Sequence, residues 1–256
     1  MGKIVAVANQ KGGVGKTTTT INLAACLAEA EKKILVIDMD PQGNTTSGFG
    51  VEKEGLTATS YELLLDDLNV RECIMPLSQF GLDLIPSSVD LAGSEVELIG
   101  VDKRENRLHE KVKALRDVFD YVLIDCPPSL NLLTINAFRA ADTVLVPIQC
   151  EFYALEGLSQ LINTVNLVKQ RLNPKIEIEG ILFTMYDSRT NLSQQVVDEV
   201  KRFMPSRTYK TVIPRSIRLG EAPSYGLPII YYDPKSKGAD AYRALAQEFL
   251  AANGGK

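Results

Sequence analysis

Between the apolar run Ile4-Val5-Ala6-Val7-Ala8 and the helix-forming stretch Ile21-Asn22-Leu23-Ala24-Ala25-Cys26-Leu27, the chain carries Gln10-Lys11-Gly12-Gly13-Val14-Gly15-Lys16-Thr17-Thr18. Few folds accept a strand that turns through glycines straight into a helix. Glycine permits the backbone angles that turn successive N–H groups inward around an anion, and the start of a helix adds partial positive charge there. Lys11–Thr18 is therefore read as a phosphate-binding loop, its cradle formed by Gly12, Gly13, Val14 and Gly15 with Thr18 closing the segment. Lys16 is placed to reach the β- and γ-phosphates of ATP, and the Thr17 hydroxyl to hold Mg²⁺. A glycine turn alone would equally suit a tight connection with a surface lysine. The order strand, glycines, Lys-Thr, helix counts against that, as does a downstream apolar strand, Tyr121-Val122-Leu123-Ile124, that ends in Asp125. Asp125 is the natural carboxylate behind the metal.

Short apolar, β-branched runs continue along the chain at Lys3–Asn9, Lys33–Asp38, Leu82–Pro86, Tyr121–Asp125, Thr143–Pro147, Ile178–Met185, Lys210–Pro214 and Leu227–Tyr231. Runs without polar interruption suit strands covered on both faces. Helical spacing falls between them, over Arg104–Phe119 and over Asn191–Phe203. Alternation of this kind predicts an α/β fold: one doubly wound, mostly parallel sheet flanked by helices, in a single domain. At 256 residues and 45% hydrophobic the chain can bury one such core, and no repeat or linker divides it.

The loop departs from G-x-x-x-x-G-K-[ST] in one respect, since Gln10 stands where the pattern has glycine and Lys11 follows. A second lysine beside phosphates already served by Lys16 is a surplus cation. On these residues the chain resembles the deviant Walker A class of P-loop ATPases. That resemblance implies an ATP-dependent homodimer, in which Lys11 reaches across to the partner's nucleotide and stabilises transition-state charge. A second acidic segment, Ile37-Asp38-Met39-Asp40-Pro41-Gln42-Gly43, follows the next strand, where a carboxylate at the strand's edge can orient an attacking water. The resemblance gives that role to Asp40 and puts Asp38 nearer the magnesium.

The likeness runs further. Lys11–Thr20, Val36–Asn44, Asp125-Cys126-Pro127-Pro128-Ser129, Tyr186-Asp187-Ser188-Arg189-Thr190, Ile213-Pro214-Arg215-Ser216 and Glu221–Gly226 together look like the ParA/Soj chromosome- and plasmid-partition ATPases. Membership implies non-specific binding of double-stranded DNA by the ATP dimer, with hydrolysis and release stimulated by a ParB-type centromere-binding partner. It also implies a metal-sensing switch at Asp125–Pro128, with Met185 and Pro214 near the adenine. The expected location is the cytoplasm, and the nucleoid in the ATP-bound state.

DNA contact can be weighed from charge as well. The whole chain carries −4, yet residues 186–220 hold seven basic against three acidic side chains, a local +4. Phosphate contacts need such a concentration rather than a basic whole. Arg189 and Arg218 match family positions used for DNA, and Lys201 and Arg202 are further candidates. With the first strand at Lys3, no N-terminal helix-turn-helix domain is expected.

Other chemistries find less support. One histidine, His109, read as solvated surface, cannot build a metal cluster or a Ser-His-Asp triad, and the four cysteines lie far apart without a C-x-x-C pair, as buried reduced thiols would. That spacing also argues against a subunit-bridging iron–sulfur cluster. A membrane-cycling ATPase of the MinD kind shares the loop but needs a C-terminal amphipathic helix. The chain's last helical stretch, Ala239–Ala252, is alanine-rich and carries both signs of charge, so it is expected to pack on the sheet without membrane contact. Tyr225, Tyr231 and Tyr232 are interleaved with apolar and proline residues, unlike a kinase's terminal tyrosine cluster. Small-molecule ligases on this fold would have no use for the basic segment.

Overall fold

The computed structural model describes residues 1–66, 68–151 and 154–254. Its strands are β1 (Lys3–Val7), β2 (Ile34–Asp38), β3 (Met75–Leu77), β4 (Leu82–Ile85), β5 (Tyr121–Asp125), β6 (Thr143–Gln149), β7 (Glu177–Tyr186) and β8 (Thr208–Pro214). They form one sheet in the order β3-β4-β2-β5-β1-β6-β7-β8, antiparallel only at β3–β4. The helices are α1 (Lys16–Glu29), α2 (Asn44–Gly48), α3 (Ser60–Leu65), α4 (Ser94–Glu97), α5 (Arg107–Val112), α6 (Leu132–Ala140), α7 (Ala154–Arg171), α8 (Asn191–Phe203), α9 (Ile217–Glu221), α10 (Ile229–Tyr232) and α11 (Lys237–Ala252).

Strand residues of alternate parity feed two separate cores. Ile4, Ala6 and Ala8 of β1 and its extension join Phe138 of α6, Leu161 of α7 and Val200 of α8, whereas Val5 and Val7 join Leu23 of α1 and Phe249 of α11. Burial on both faces explains the unbroken apolar runs. Each of the larger of these side chains contributes about 1.5–3 kcal/mol when removed from water.

Three elements differ from the sequence-based expectation. Leu227–Tyr231, expected as a strand, turns at Pro228 into the short helix α10, where Ile229 and Ile230 are buried and the Ile229 amide donates to Asn22 Oδ1 at 2.6 Å. A run of apolar residues meets its need for burial on α1 as well as it would in a sheet. Met75–Leu77 pairs as an unforeseen edge strand, three residues long with proline at its centre, a composition that carries no strand signal. Arg104–Phe119 is not one helix: α5 is flanked by tighter turns at Arg104–Asn106 and Lys113–Asp117. Its last turn gives the Arg116 carbonyl to the Gly2 amide at 2.6 Å, which ties the chain's start to the sheet. His109, half-buried, is pushed below its ordinary pKa by burial and then by Arg139, so it is less solvated than expected.

The chain passes from one side of β1 to the other between β5 and β6, so the connections diverge at the carboxyl ends of β5 and β1. In open parallel sheets that divergence is where ligands bind.

Candidate nucleotide site

The glycine loop connects β1 to α1 at that divergence. Gly13 and Gly15 have φ of 74° and 88°, the left-handed region, and Gly15 caps α1 directly before Lys16. No amide from Gly12 through Thr18 donates a hydrogen bond to any described residue; the first one satisfied inside the chain is Thr19, to the Gly15 carbonyl at 2.9 Å. A consecutive row of unpartnered amides at a helix start is a receptor for an anion. Lys16 belongs to it: its side chain is buried, its Nζ touches the Lys11 carbonyl at 3.2 Å, and burial holds its ammonium below the ordinary lysine range despite Asp125 nearby. No carboxylate among the described residues forms an ion pair with it, so a bound phosphate would meet an unpaired ammonium.

Register alone sets the acids beneath this cradle. Asp125 stands opposite both Val7 and Asp38 in the sheet. Its Oδ2 accepts from the Thr17 hydroxyl at 2.8 Å and the Thr45 hydroxyl at 2.7 Å, and its Oδ1 accepts from Thr20 at 3.2 Å. Asp38 Oδ2 accepts from the Thr46 amide and hydroxyl at 2.8 and 2.7 Å, while its Oδ1 takes the Asp40 amide at 3.2 Å. Both carboxyls are fully buried. Desolvation pushes Asp38 up to about 7, aided by repulsion from Asp125; desolvation likewise raises Asp125, to about 6, against the pull of Thr45 and Thr17. Asp38 thus sits below the cavity with its oxygens engaged by protein donors. Asp40 lies at the rim: Oδ1 accepts from the Gln42 amide at 3.0 Å, and Oδ2 accepts from no described residue.

Two adjoining cavities open over these groups, sharing Gly15, Thr18 and Met185. One, about 470 Å³, is lined by the loop, Asp40, Gln42, Pro128 and Pro223. The other, about 190 Å³ and more apolar, is lined by Thr184, Met185, Pro214 and Tyr242, which gives a flat ring a place beside Met185 and Pro214. Met185 holds φ +49°, uncommon outside glycine. Among the described residues no three His, Cys, Asp or Glu side chains gather as a metal cluster, so a divalent cation here would take its ligands from Thr17, water and phosphate oxygens, the mode magnesium favours.

Lys11 behaves differently from Lys16. It lines neither cavity, and its Nζ pairs with Glu151 Oε2 at 2.7 Å, with 38% of the side chain exposed. The basic residues lie on several elements. Arg189, 85% exposed, is held by Asp187 through its Nε at 2.9 Å and Nη2 at 2.7 Å. Arg218, 57% exposed, pairs with Glu221 at 3.0 Å and Asp233 at 3.6 Å. Arg189 follows β7 and Arg218 follows β8, whose ends pair at Tyr186 and Pro214. Lys201 and Arg202 are exposed in the last turn of α8, roughly 15 Å of helix rise from its first residue.

Sequence reasoning missed Thr45 and Thr46, which hold the acids, and Thr184, whose hydroxyl donates within 2.8 Å of the Val14 carbonyl and braces the loop. The Thr45-Thr46 pair stood directly after Asn44, yet nothing in spacing shows which carboxylate a hydroxyl will meet.

Fold and site together define a P-loop ATPase, whose cofactors are ATP and Mg²⁺. A family model described as an AAA domain matches residues 2–178. The chain is 56% identical to the sporulation initiation inhibitor protein Soj of Bacillus subtilis over 254 residues, covering 99% of this chain and all of that one. It is 53% identical to the chromosome partitioning protein ParA of Myxococcus xanthus over 250 residues, covering 98% and 88%. Among solved structures, a cobyrinic acid a,c-diamide synthase from Mycobacterium smegmatis with a bound ATP analogue and magnesium superposes with a TM-score of 0.87 at 37% identity, covering 100% of this chain and 98% of that one. The chain belongs to the ParA/Soj family of partitioning ATPases.

Proposed function

We propose that two copies of this ATPase close face to face around two Mg-ATP, that the closed dimer binds double-stranded DNA without regard to sequence, and that a ParB-type centromere-binding partner stimulates hydrolysis and release. The observation that carries this reading is Lys11. Its own cradle already holds the buried Lys16, and Lys11 pairs instead with the half-exposed carboxylate of Glu151. A cation that lines neither cavity and is held by one exposed ion pair can exchange that pair for a second nucleotide.

In this reading the unpartnered amides of Gly12–Thr18 and the Lys16 ammonium bind the phosphates. Thr17 holds the metal, and Asp125 orients the Thr17 hydroxyl. The unpaired Oδ2 of Asp40 orients the attacking water, and Asp38 fixes the Asp40 backbone from beneath. Met185 and Pro214 flank the adenine. Arg189 and Arg218 contact DNA phosphates, and the ATP dimer associates with the nucleoid. The chain's likeness to the partition relatives, 56% against 37% for the synthase, favours this activity over a small-molecule ligase.

Membrane cycling gains no support from α11. Tyr242, Leu245 and Phe249 are at most 1% exposed and belong to the core, and Leu250 is partly buried against it. No described helix is long and apolar enough to cross a membrane.

Sedimentation and DNA binding of wild type, Lys16→Ala and Asp40→Ala, with and without ATP, test the proposal. Asp40→Ala is expected to bind ATP, dimerise and coat DNA without turnover, and Lys16→Ala to do none of these while staying folded. An ATP-saturated Asp40→Ala protein that sediments as a monomer refutes the closed dimer. Unaltered turnover in that variant removes Asp40 from the mechanism.

A further inference from the structure

The loop that carries Asp40 is short and pinned at both ends. At its start the Met39 amide donates to the Asp125 carbonyl at 2.9 Å and the Asp40 amide to Asp38 Oδ1. At its end the chain enters α2 through Gly43 at φ +59°, and α2 has only five residues, too few to hold its position by itself. Besides the Thr46 amide on Asp38 and the buried Phe49 at its end, a pair of adjacent hydroxyls holds it. Thr46 donates to Asp38 Oδ2 and accepts from the Ser87 amide at 2.9 Å, which moors α2 to the segment after β4. Thr45 does something else. It donates to the same Asp125 oxygen, Oδ2, that receives the Thr17 hydroxyl. Both threonines are completely buried.

Two hydroxyls meeting on one carboxylate oxygen create a direct mechanical link. Thr17 is the first-turn residue placed to touch the metal, and Thr45 lies five residues after Asp40. A donor cannot shift on Asp125 Oδ2 without altering the geometry left for the other, because the carboxyl is enclosed and its second oxygen already takes Thr20. We propose that Thr45 is a positioning residue for the hydrolytic loop: through Asp125 Oδ2 it makes the placement of Asp40 depend on the state of Thr17. Thr46, which shares no atom with the Thr17 contact, is a structural mooring. This rests on the reading of Thr17 as the metal-holding hydroxyl and Asp40 as the water-orienting carboxylate.

Valine replaces threonine's hydroxyl with a methyl of similar size, and serine keeps the hydroxyl while losing the methyl, so the two variants separate donor from packing. Thr45→Val is expected to lower kcat at least tenfold while KM for ATP moves less than threefold, and Thr45→Ser to recover at least a third of wild-type kcat. The second readout is independent of turnover. Amide exchange over residues 40–48, measured with ADP alone and with ADP plus Mg²⁺, should slow on adding the metal in wild type and Thr45→Ser, and stay unchanged in Thr45→Val. Thr46→Val, by contrast, should speed exchange across 40–48 equally with and without metal. Metal-dependent protection retained in Thr45→Val, or kcat lost equally in Thr45→Ser, overturns the proposal. Asp40→Ala measured in parallel keeps the two readings apart: if it too retains turnover, the water-orienting role has failed; if it is inactive while Thr45→Val is not, only the link has.

Discussion

Arg189→Ala combined with Arg218→Ala gives the charge argument a magnitude. Both guanidiniums are exposed, and both follow adjacent strand ends, so one protomer presents two cations and the proposed dimer four. Each phosphate contact contributes about 0.9 to the slope of log affinity against log salt on duplex DNA, so four lost contacts flatten the slope by roughly 3.6. Between 50 and 200 mM salt, a fourfold change, the affinity advantage of wild type over the variant then shrinks about a hundredfold. The arginines do not start free. Asp187 holds one, and Glu221 with Asp233 the other. Exposed pairs of this kind are worth about 0.2–1 kcal/mol each, too little to withhold a guanidinium from a phosphate. Fluorescence anisotropy on a random-sequence duplex, across a salt series with ATP in an Asp40→Ala background, measures the slope directly. Lys201→Ala with Arg202→Ala is the control, since α8 carries those residues away from the β7 and β8 ends; its slope should change by less than that of the arginine pair. Parallel lines for wild type and the Arg189→Ala, Arg218→Ala variant refute the placement, and equal flattening in the control moves the contact face onto α8.

Two further outcomes follow from buried polar groups. Tyr209, 5% exposed, has a hydroxyl with no partner among the described residues, so Tyr209→Phe should stabilise the chain by about 1 kcal/mol and raise Tm by about 2–4 °C in calorimetry. Asp38 and Asp125 are raised in the folded chain, to about 7 and about 6, above the ordinary aspartate value near 3.8. The folded state therefore holds their protons more tightly; the stability this gives is complete below about pH 4 and disappears as pH rises through 6 and 7, so nucleotide-free urea midpoints should fall across that range, and less so in Asp38→Asn.

The phosphate loop was legible because its chemistry is local. Glycine at Gly13 and Gly15, lysine at Lys16 and a helix former beyond them state one conformation in consecutive letters, and the structure has the left-handed angles and free amides that those letters imply. Continuous apolar strands were legible for the same reason, since burial on both faces is written into each run. Asn191–Phe203 followed from helical spacing, and the core-packed last helix from its alanine-rich, mixed-charge composition. Leu227–Tyr231 shows the limit. An apolar run states that it will be buried, not by what, and Pro228 with the Asn22 carboxamide turned it into a helix against α1. The basic segment shows another: a net charge counts residues along the chain, whereas Lys201 and Arg202 sit in the last turn of α8 and Arg189 lies before its first.

What the sequence could not contain was the strand order. Asp38 and Asp125 are 87 positions apart, and both could be assigned to strand ends; their direct opposition exists only because β5 is inserted between β1 and β2. That insertion is what buries two carboxyls side by side, and burying them is what demands hydroxyl donors. Thr17, Thr20, Thr45 and Thr46 meet the demand from two different helices. An acid pair solvated at a sheet edge would need none of them, and α2 would then have no tie to the phosphate loop. The coupling between the loop that binds phosphate and the loop that carries Asp40 is therefore a consequence of topology, enforced by the cost of an unpaired buried carboxylate.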